Sequence, residues 1–532
     1  MKSKMLSFVM ILGLILLVGL FFHLQSAARA GGNTYYVDDD CDGSGNGSLG
    51  DPWCTIQEAA NVVGLGDTVL INPGTYAGGV QVDVSGTAVN PITFKGNGAN
   101  VIINGSGSGQ DGINVENADY IIIDGITVQL ASRAGVRIVL ADHVTVRNST
   151  FIDNGKWGVF TGFADYTTVE NIESYGAIDE HGIYISNSSD YPVIRGNRLH
   201  HNHANGLHMN GDASLSDPGH DSDGVISFGL IENNIIYENG VGGGSGINMD
   251  GVTDTIVRNN LLYDNHASGI SIYQIDGGSG SQNNLILNNT ILMPANGRWA
   301  INIPDITDIN NKIFNNILLS DHAFRGSITI PSASLTGFES DYNIVVNRLS
   351  ADDGNSNMSL AAWQGLGFDA HSFIATANNL FVNPAAHDYR LKAGSPAIDA
   401  GRTLADVPTD LEGKPRPIGA AFDIGAYEYG TPPQLFLTGT PGDQSIQLNW
   451  DVTATLPPTS TWRITYAGSV GNPPSPIINI PNATRSYQIT QLTNYTMHTV
   501  TLNAMVNASP VLTDTITIMP TDLFNYLPVV LK

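Results

Sequence analysis

The chain has 532 residues, with 23 Lys and Arg against 49 Asp and Glu (net charge −26), and is 42% hydrophobic but only 14% charged. That composition excludes a disordered protein, and its 59 glycines follow no Gly-X-Y period, which excludes collagen. The acidic balance, uninterrupted by any Lys/Arg cluster, argues against a nucleic-acid partner, and two cysteines cannot build a four-thiolate zinc site or a disulfide-dense scaffold.

Lys2 and Lys4 precede an apolar run from Met5 to Leu24, and Ala28-Arg29-Ala30 follows it. A basic start, an apolar stretch and an A-x-A site predict a signal peptide over 1–30, cleaved after Ala30. The mature chain is then secreted or held at the cell surface, with no membrane span of its own. In those oxidising surroundings Cys41 and Cys54 are expected to form one disulfide.

From residue 112 a glycine followed by an apolar residue recurs at Gly112, Gly135, Gly158, Gly182, Gly206, Gly246 and Gly269, and Ala300 fits the next place. Each opens a short alternating strand, such as GVRIV, GVFTG, GIYIS, GLHMN, GINMD and GISIY. About a dozen residues later a second strand ends in Asn, at Asn148, Asn171, Asn259–Asn260 and Asn288–Asn289. One such unit cannot bury its apolar face alone, whereas stacked units can. The repeat therefore predicts an all-β chain built on a parallel β-helix, with the recurring Asn bonding from turn to turn. After Gly430, Thr431-Pro432-Pro433 reads as a linker. Residues 434–520 alternate strand-like runs with Pro, Asn and Gly turns, as a small β-sandwich would, and 521–532 form an apolar tail.

Residues 34–76, TYYVDDD…DPWCTIQEAANVVGLGDTVLINPGTY, resemble the opening of secreted right-handed β-helix proteins of the pectate-lyase-like superfamily. DYRLKAGSPAIDAG (388–401), DLEGKPRP (410–417) and FDIGAYEY (422–429) resemble their closing segment. The resemblance implies a right-handed β-helix with an N-terminal cap over 34–430. It leaves the reaction open among lyases, hydrolases, epimerases and non-catalytic surface proteins. Trp450, Leu492 and Tyr495 resemble the core and tyrosine corner of a fibronectin type III domain.

In each opening strand the residues one and three places after the glycine are apolar and face inward, so those two and four places after it face outward. The first outward column reads Arg137, Phe160, Tyr184, His208, Asn248 and Ser271, and the second includes Ser186, Asn210, Asp250 and Tyr273. Lys156, Trp157, Glu180, His181, His203 and His266 lie just before the glycines, and seven of the thirteen histidines fall within 181–266. Eliminative cleavage of a uronate needs a group that neutralises the carboxylate, a base for the C5 proton and an acid for the leaving oxygen. Tyr184, His208 and His181 are the expected acid/base set. Arg137, Lys156, His203, Asn210, Asn248, Asp250, His266 and Tyr273 are expected to bind a polysaccharide, acidic in character, with the protein acting as a monomer. A 16-residue insertion in the Gly206 unit carries Asp212, Asp217, His220, Asp221 and Asp223, and its carboxylates are candidate Ca²⁺ ligands. The equal alternative there is a solvated loop of Asx-turns.

A lyase on a uronate-containing polysaccharide is the leading expectation. The alternatives are a non-catalytic glycan-binding or adhesive surface protein, or an epimerase or glycoside hydrolase on the same fold. No N-T-D, D-D and G-H-G set, no D-P-H-E, G-x-S-x-G, P-loop or HExxH supports another chemistry.

Overall fold

The computed structural model describes residues 32–523, apart from 44, 108, 454–455, 457–458, 468–473 and 507–508. The signal segment and most of the apolar tail lie outside the described residues. Among the described residues no helix is long and apolar enough to cross a membrane. The chain forms two compact units that part at Gly430.

The first unit is a parallel β-solenoid. Each coil visits three sheets in turn, for example Ala134–Val139, then Thr145–Arg147, then Thr150–Ile152, before Trp157–Gly162 starts the next. The front sheet, made of the glycine-led strands, has ten strands, and the other two have twelve each. Inside lies one continuous apolar core, in which Ile183, Ile185, Leu207, Met209, Ile247 and Met249 have no exposed surface. The helix Ile56–Ala60 closes the N-terminal end with Ile56, Ala59 and Ala60 buried, and Thr55 and Glu58 form its capping box. Cys41 and Cys54 are disulfide-bonded beside it.

The glycine column is a consequence of coil spacing. A Cβ built on Gly135 or Gly158 would stand 2.7 Å from the carbonyl oxygen of the next coil's glycine, and one on Gly182 2.8 Å from that of Gly206. Only glycine allows that approach without displacing backbone.

The recurring Asn signal divides into two jobs. The first residue of each pair takes the left-handed conformation that turns the chain, with φ 51° at Asn148, 53° at Asn171, 55° at Asn259 and 51° at Asn288. The position after it forms the ladder. Asn197, Asn234, Asn260, Asn289, Asn316 and Asn343 are buried, and each Nδ2 up to that of Asn316 donates to the Oδ1 of the next at 2.9–3.2 Å. Asn148 and Asn171 are therefore turn formers and not rungs of the ladder. The closing segment docks on the later turn residues. Asn259 Nδ2 donates to Thr409 O at 2.6 Å, Asn288 to Asp423 O at 3.0 Å and Asn315 to Arg402 O at 2.8 Å. A fully buried Arg416–Glu428 ion pair (2.7 Å) ties the segment together.

The second unit has a three-stranded antiparallel sheet (Leu435–Gly442, Ser445–Val452, Ser486–Ile489) and a four-stranded one (Ile477–Pro481, Thr461–Ala467, His498–Val506, Ser509–Ile518). They enclose a core around Trp450, Trp462 and Leu492. Tyr495 does not sit in a buried corner: it is 55% exposed and its hydroxyl meets the Asp522 carboxylate.

Candidate active site on the front sheet

Strand register places Arg137, Phe160, Tyr184, His208, Asn248 and Ser271 side by side on successive coils, and Ser186, Asn210, Asp250 and Tyr273 likewise. The first column is half-buried up to His208, after which Asn248 and Ser271 are buried. The second is buried more deeply than an outward strand position implies, because the turns that follow fold over it. Asp250, 1% exposed, accepts N–H bonds from Ile275, Asp276 and Gly277 at 2.8–3.1 Å and so holds that turn. Asn248 Nδ2 donates to the Tyr273 hydroxyl at 2.7 Å. These three, expected at a ligand, are occupied with one another and with backbone.

At the centre of the sheet a chain of hydrogen bonds fixes proton positions. The backbone N–H of Asn205 donates to His181 Nδ1 at 3.2 Å, so that nitrogen is an acceptor. His181 Nε2 lies 2.8 Å from His208 Nδ1. A neutral imidazole carries one proton, so His181 has it on Nε2 and donates to His208 Nδ1, and His208 carries its own on Nε2. Burial lowers both basicities. His181 falls to about 3, with Lys156 adding to the effect, and His208 well below 6.5, helped by His181. Both rings are therefore neutral at physiological pH. His208 Nε2 is shielded from water and has no partner. An unpaired buried donor costs about 1–3 kcal/mol.

Tyr184 stacks on His208, with ring centroids 4.8 Å apart and planes 10° from parallel, and its oxygen accepts from Asn210 Nδ2 at 3.2 Å. Burial, with the Glu180 and Asp276 charges, raises its pKa above the usual tyrosine value. Trp157 and Phe160, stacked at 4.4 Å, extend the aromatic strip on the other side of Tyr184.

The expected cations are engaged. Lys156 Nζ lies 2.8 Å from Glu180 Oε1, whose other oxygen accepts from Trp157 Nε1 at 2.7 Å. Arg137 donates to Asn114 (2.8 Å) and Glu116 (3.1 Å), away from Tyr184. The seven histidines of 181–266 do not form one patch. His200 stacks between Tyr175 and Tyr237 on the third sheet, and His220 belongs to the insertion. His203 is exposed against Gly242, and His266, 3.1 Å from Asn296, lines a separate depression of about 430 Å³ with His201, Glu238 and Asp264.

Calcium takes about six to eight oxygens. The insertion does not gather them: Asp212, Asp217, Asp221 and Asp223 each accept an N–H from two residues on, at 2.7–3.2 Å, as Asx-turns do. On the front face Glu180 and Asp250 already have both oxygens engaged. Among the described residues the acidic group whose oxygens converge is Asp38, Asp39 and Asp40 in the N-terminal cap, where Asp38 and Asp39 bond Asn72 and Thr75. The front-face residues do not fit a calcium ion.

Asn205, which sets the proton order, went unremarked in the sequence. Its signal was the place before each glycine, where Trp157, His181, Asn205 and Ser245 form a further column linked through Gly158 N to His181 O, Gly182 N to Asn205 O and Gly206 N to Ser245 O.

A family model for Pel9A-like right-handed β-helix regions matches residues 35–301, half of the chain. The chain belongs to that family. Among solved structures, that of pectate lyase Pel9A is similar at 19% identity and TM-score 0.55, covering 75% of this chain and 97% of that one. A rhamnogalacturonan lyase (17%, 0.42, covering 54% and 82%) and an alginate lyase from Paenibacillus sp. str. FPU-7 (19%, 0.43, covering 60% and 98%) are also similar. At such identities the likeness is one of fold. No curated protein matches the chain.

Proposed function

We propose that this protein is a secreted polysaccharide lyase that cleaves a uronate-containing polymer by β-elimination on the front sheet, at Tyr184 and His208. The observation that carries the reading is the unpaired Nε2–H of His208, held in one tautomer by His181 and stacked against the Tyr184 ring. Family membership and the likeness to pectate lyase Pel9A support the reaction class. The signal-like N-terminus supports export. The three-on-four strand arrangement of the second unit supports a fibronectin type III-like accessory module.

In this mechanism the roles follow the proton order. His208, a neutral donor, bonds the carboxyl oxygen on C5's substituent and stabilises charge that develops there. The Tyr184 phenolate takes the C5 proton. The C4–O4 bond breaks as the C4=C5 bond forms, and Tyr184 returns the proton to O4, which regenerates the phenolate. Asn210 Nδ2–H stabilises the phenolate oxygen. His181 and Asn205 position His208.

Incubation with pectate, esterified pectin, alginate and glycosaminoglycans, followed by the ultraviolet absorbance of the 4,5-unsaturated product, tests the reading. Unsaturated product from one of them is the expected result. Reducing ends without that absorbance would replace the lyase with a hydrolase, and neither signal would leave a glycan binder.

A further inference from the structure

We infer that the sugar unit reacting at Tyr184 and His208 carries its carboxyl group as a neutral ester rather than as a carboxylate. The inference rests on the lyase reading and names the substrate class of that same site.

Three observations lead to it. The first is the state of the cations. Lys156 is paired with Glu180, Arg137 with Glu116, and Arg133 with Asp111 through two bonds of its guanidinium. Arg137 is also two coils from Tyr184, roughly 10 Å at the usual strand spacing. A carboxylate entering beside Tyr184 meets no uncommitted positive charge on these coils. The second is the sign of the field. Glu180 and Asp276 act on Tyr184, and Asp250 and Asp276 on Tyr273, all of them carboxylates, within a chain of net charge −26. The third is the apolar strip. Phe160, half-buried, has its ring centroid 5.4 Å from that of Tyr184 and is backed by the buried Trp157 (5.6 Å from Tyr184), which offers a small alkyl group contact surface that a carboxylate would have no use for.

The chemistry points the same way. Removing the C5 proton from a uronate anion puts a second negative charge on the carboxyl group, and a dianion calls for a cation beside it. The same step on an ester yields an enolate with one charge, which a neutral N–H donor can stabilise. The groups at the centre supply a neutral N–H donor in His208, held by His181, and a base in Tyr184, held by Asn210, but no cation. In the balanced step the C5–H and C4–O4 bonds break, the C4=C5 bond forms, the proton passes through Tyr184 to O4, and the ester is untouched.

The test compares one galacturonan preparation in its methyl-esterified form and after saponification to the free acid, at matched chain length and without added metal. The unsaturated product should form on the ester with kcat/KM at least tenfold above that on the free acid. Glu180→Gln, which releases Lys156, should narrow that ratio by raising the rate on the free acid, with circular dichroism confirming that the variant is folded. Equal or faster turnover of the free acid by the wild type would overturn the inference while leaving the lyase reading intact. Silence on both forms would overturn the lyase reading and this inference with it. Calorimetric binding of both forms to Tyr184→Phe gives a readout independent of turnover, and tighter binding of the free acid would also overturn the inference.

Discussion

His181 Nε2 and His208 Nδ1 stand 2.8 Å apart, and the proton between them belongs to His181, because its other nitrogen is already an acceptor for Asn205 N–H. The pair thus relays a backbone amide through His181 of the neighbouring coil to fix an N–H donor three residues further along the amide's own coil. It behaves as a positioning device, since His181 reaches a ligand only through His208.

Removing the Tyr184 hydroxyl with Tyr184→Phe should lower kcat by roughly 10²- to 10⁴-fold, the usual worth of a positioned proton-transfer group. The stacked ring is retained, so the fold should survive. His208→Ala should cost roughly 10²- to 10³-fold, in the range of a lost oxyanion donor. An outward strand position implies a stability cost under about 1 kcal/mol. His208→Ala should exceed that, at about 1–3 kcal/mol, because it strands the buried His181 Nε2–H. Turnover assays paired with chemical denaturation check both. Unchanged turnover in Tyr184→Phe would move the chemistry elsewhere.

The rate should climb with pH. Tyr184 acts as phenolate, and burial raises its proton affinity above the ordinary value of 10.0. Across pH 7–9 the reactive fraction then grows about tenfold per unit, and kcat/KM should follow it. A profile flat across pH 7–9 would instead assign the base to a histidine, since both site histidines are already neutral there.

Acid should destabilise the folded chain through the same pair. His181 is lowered from 6.5 to about 3 in the folded state, and His208 is also lowered. The unfolded chain therefore binds more protons below about pH 6.5, so stability is complete above that pH and is lost as pH falls. Each histidine contributes a slope of about 1.4 kcal/mol per pH unit within its own window. Denaturation midpoints at pH 7, 6, 5 and 4 should show a shallower decline in His208→Gln than in the wild type. Parallel curves would mean that other groups dominate.

The period-2 strands and the glycine spacing made the solenoid and the order of its front columns legible, since a stack of coils converts sequence spacing directly into neighbours. Depth was not legible. Whether Asp250 faces solvent depends on the 275–277 turn one coil later, which no alternation pattern encodes. The histidine cluster misled for a related reason. Residues close in sequence fall on different sheets, so His200 ends one coil on the third sheet while His208 begins the next on the front sheet. Asn205 escaped because a hydrogen bond from its backbone, and not a recognisable side-chain motif, does the positioning.

The glycine and Asn columns should carry stability and not chemistry. In Gly158→Ala the new Cβ would lie 2.1 Å from Ser174 Oγ and 2.7 Å from Gly182 O. The serine can rotate, but the carbonyl belongs to the next coil, so the change should cost about 1–3 kcal/mol through overpacking. Asn260→Ala removes a fully buried amide that donates to Ile231 O and Asn289 Oδ1 and accepts from Asn234. Several partners are then unpaired, and a loss of about 2–4 kcal/mol is expected from the cost of buried unsatisfied groups. Asn148→Ala, at a left-handed turn, should cost less, at about 1 kcal/mol, since the residue is exposed and only backbone strain and one hydrogen bond, from Nδ2 to Asp124 Oδ1 (2.8 Å), are at stake. Urea unfolding of the three variants ranks them. If Asn148→Ala proved as damaging as Asn260→Ala, the division of the Asn signal into turn formers and ladder rungs would fail.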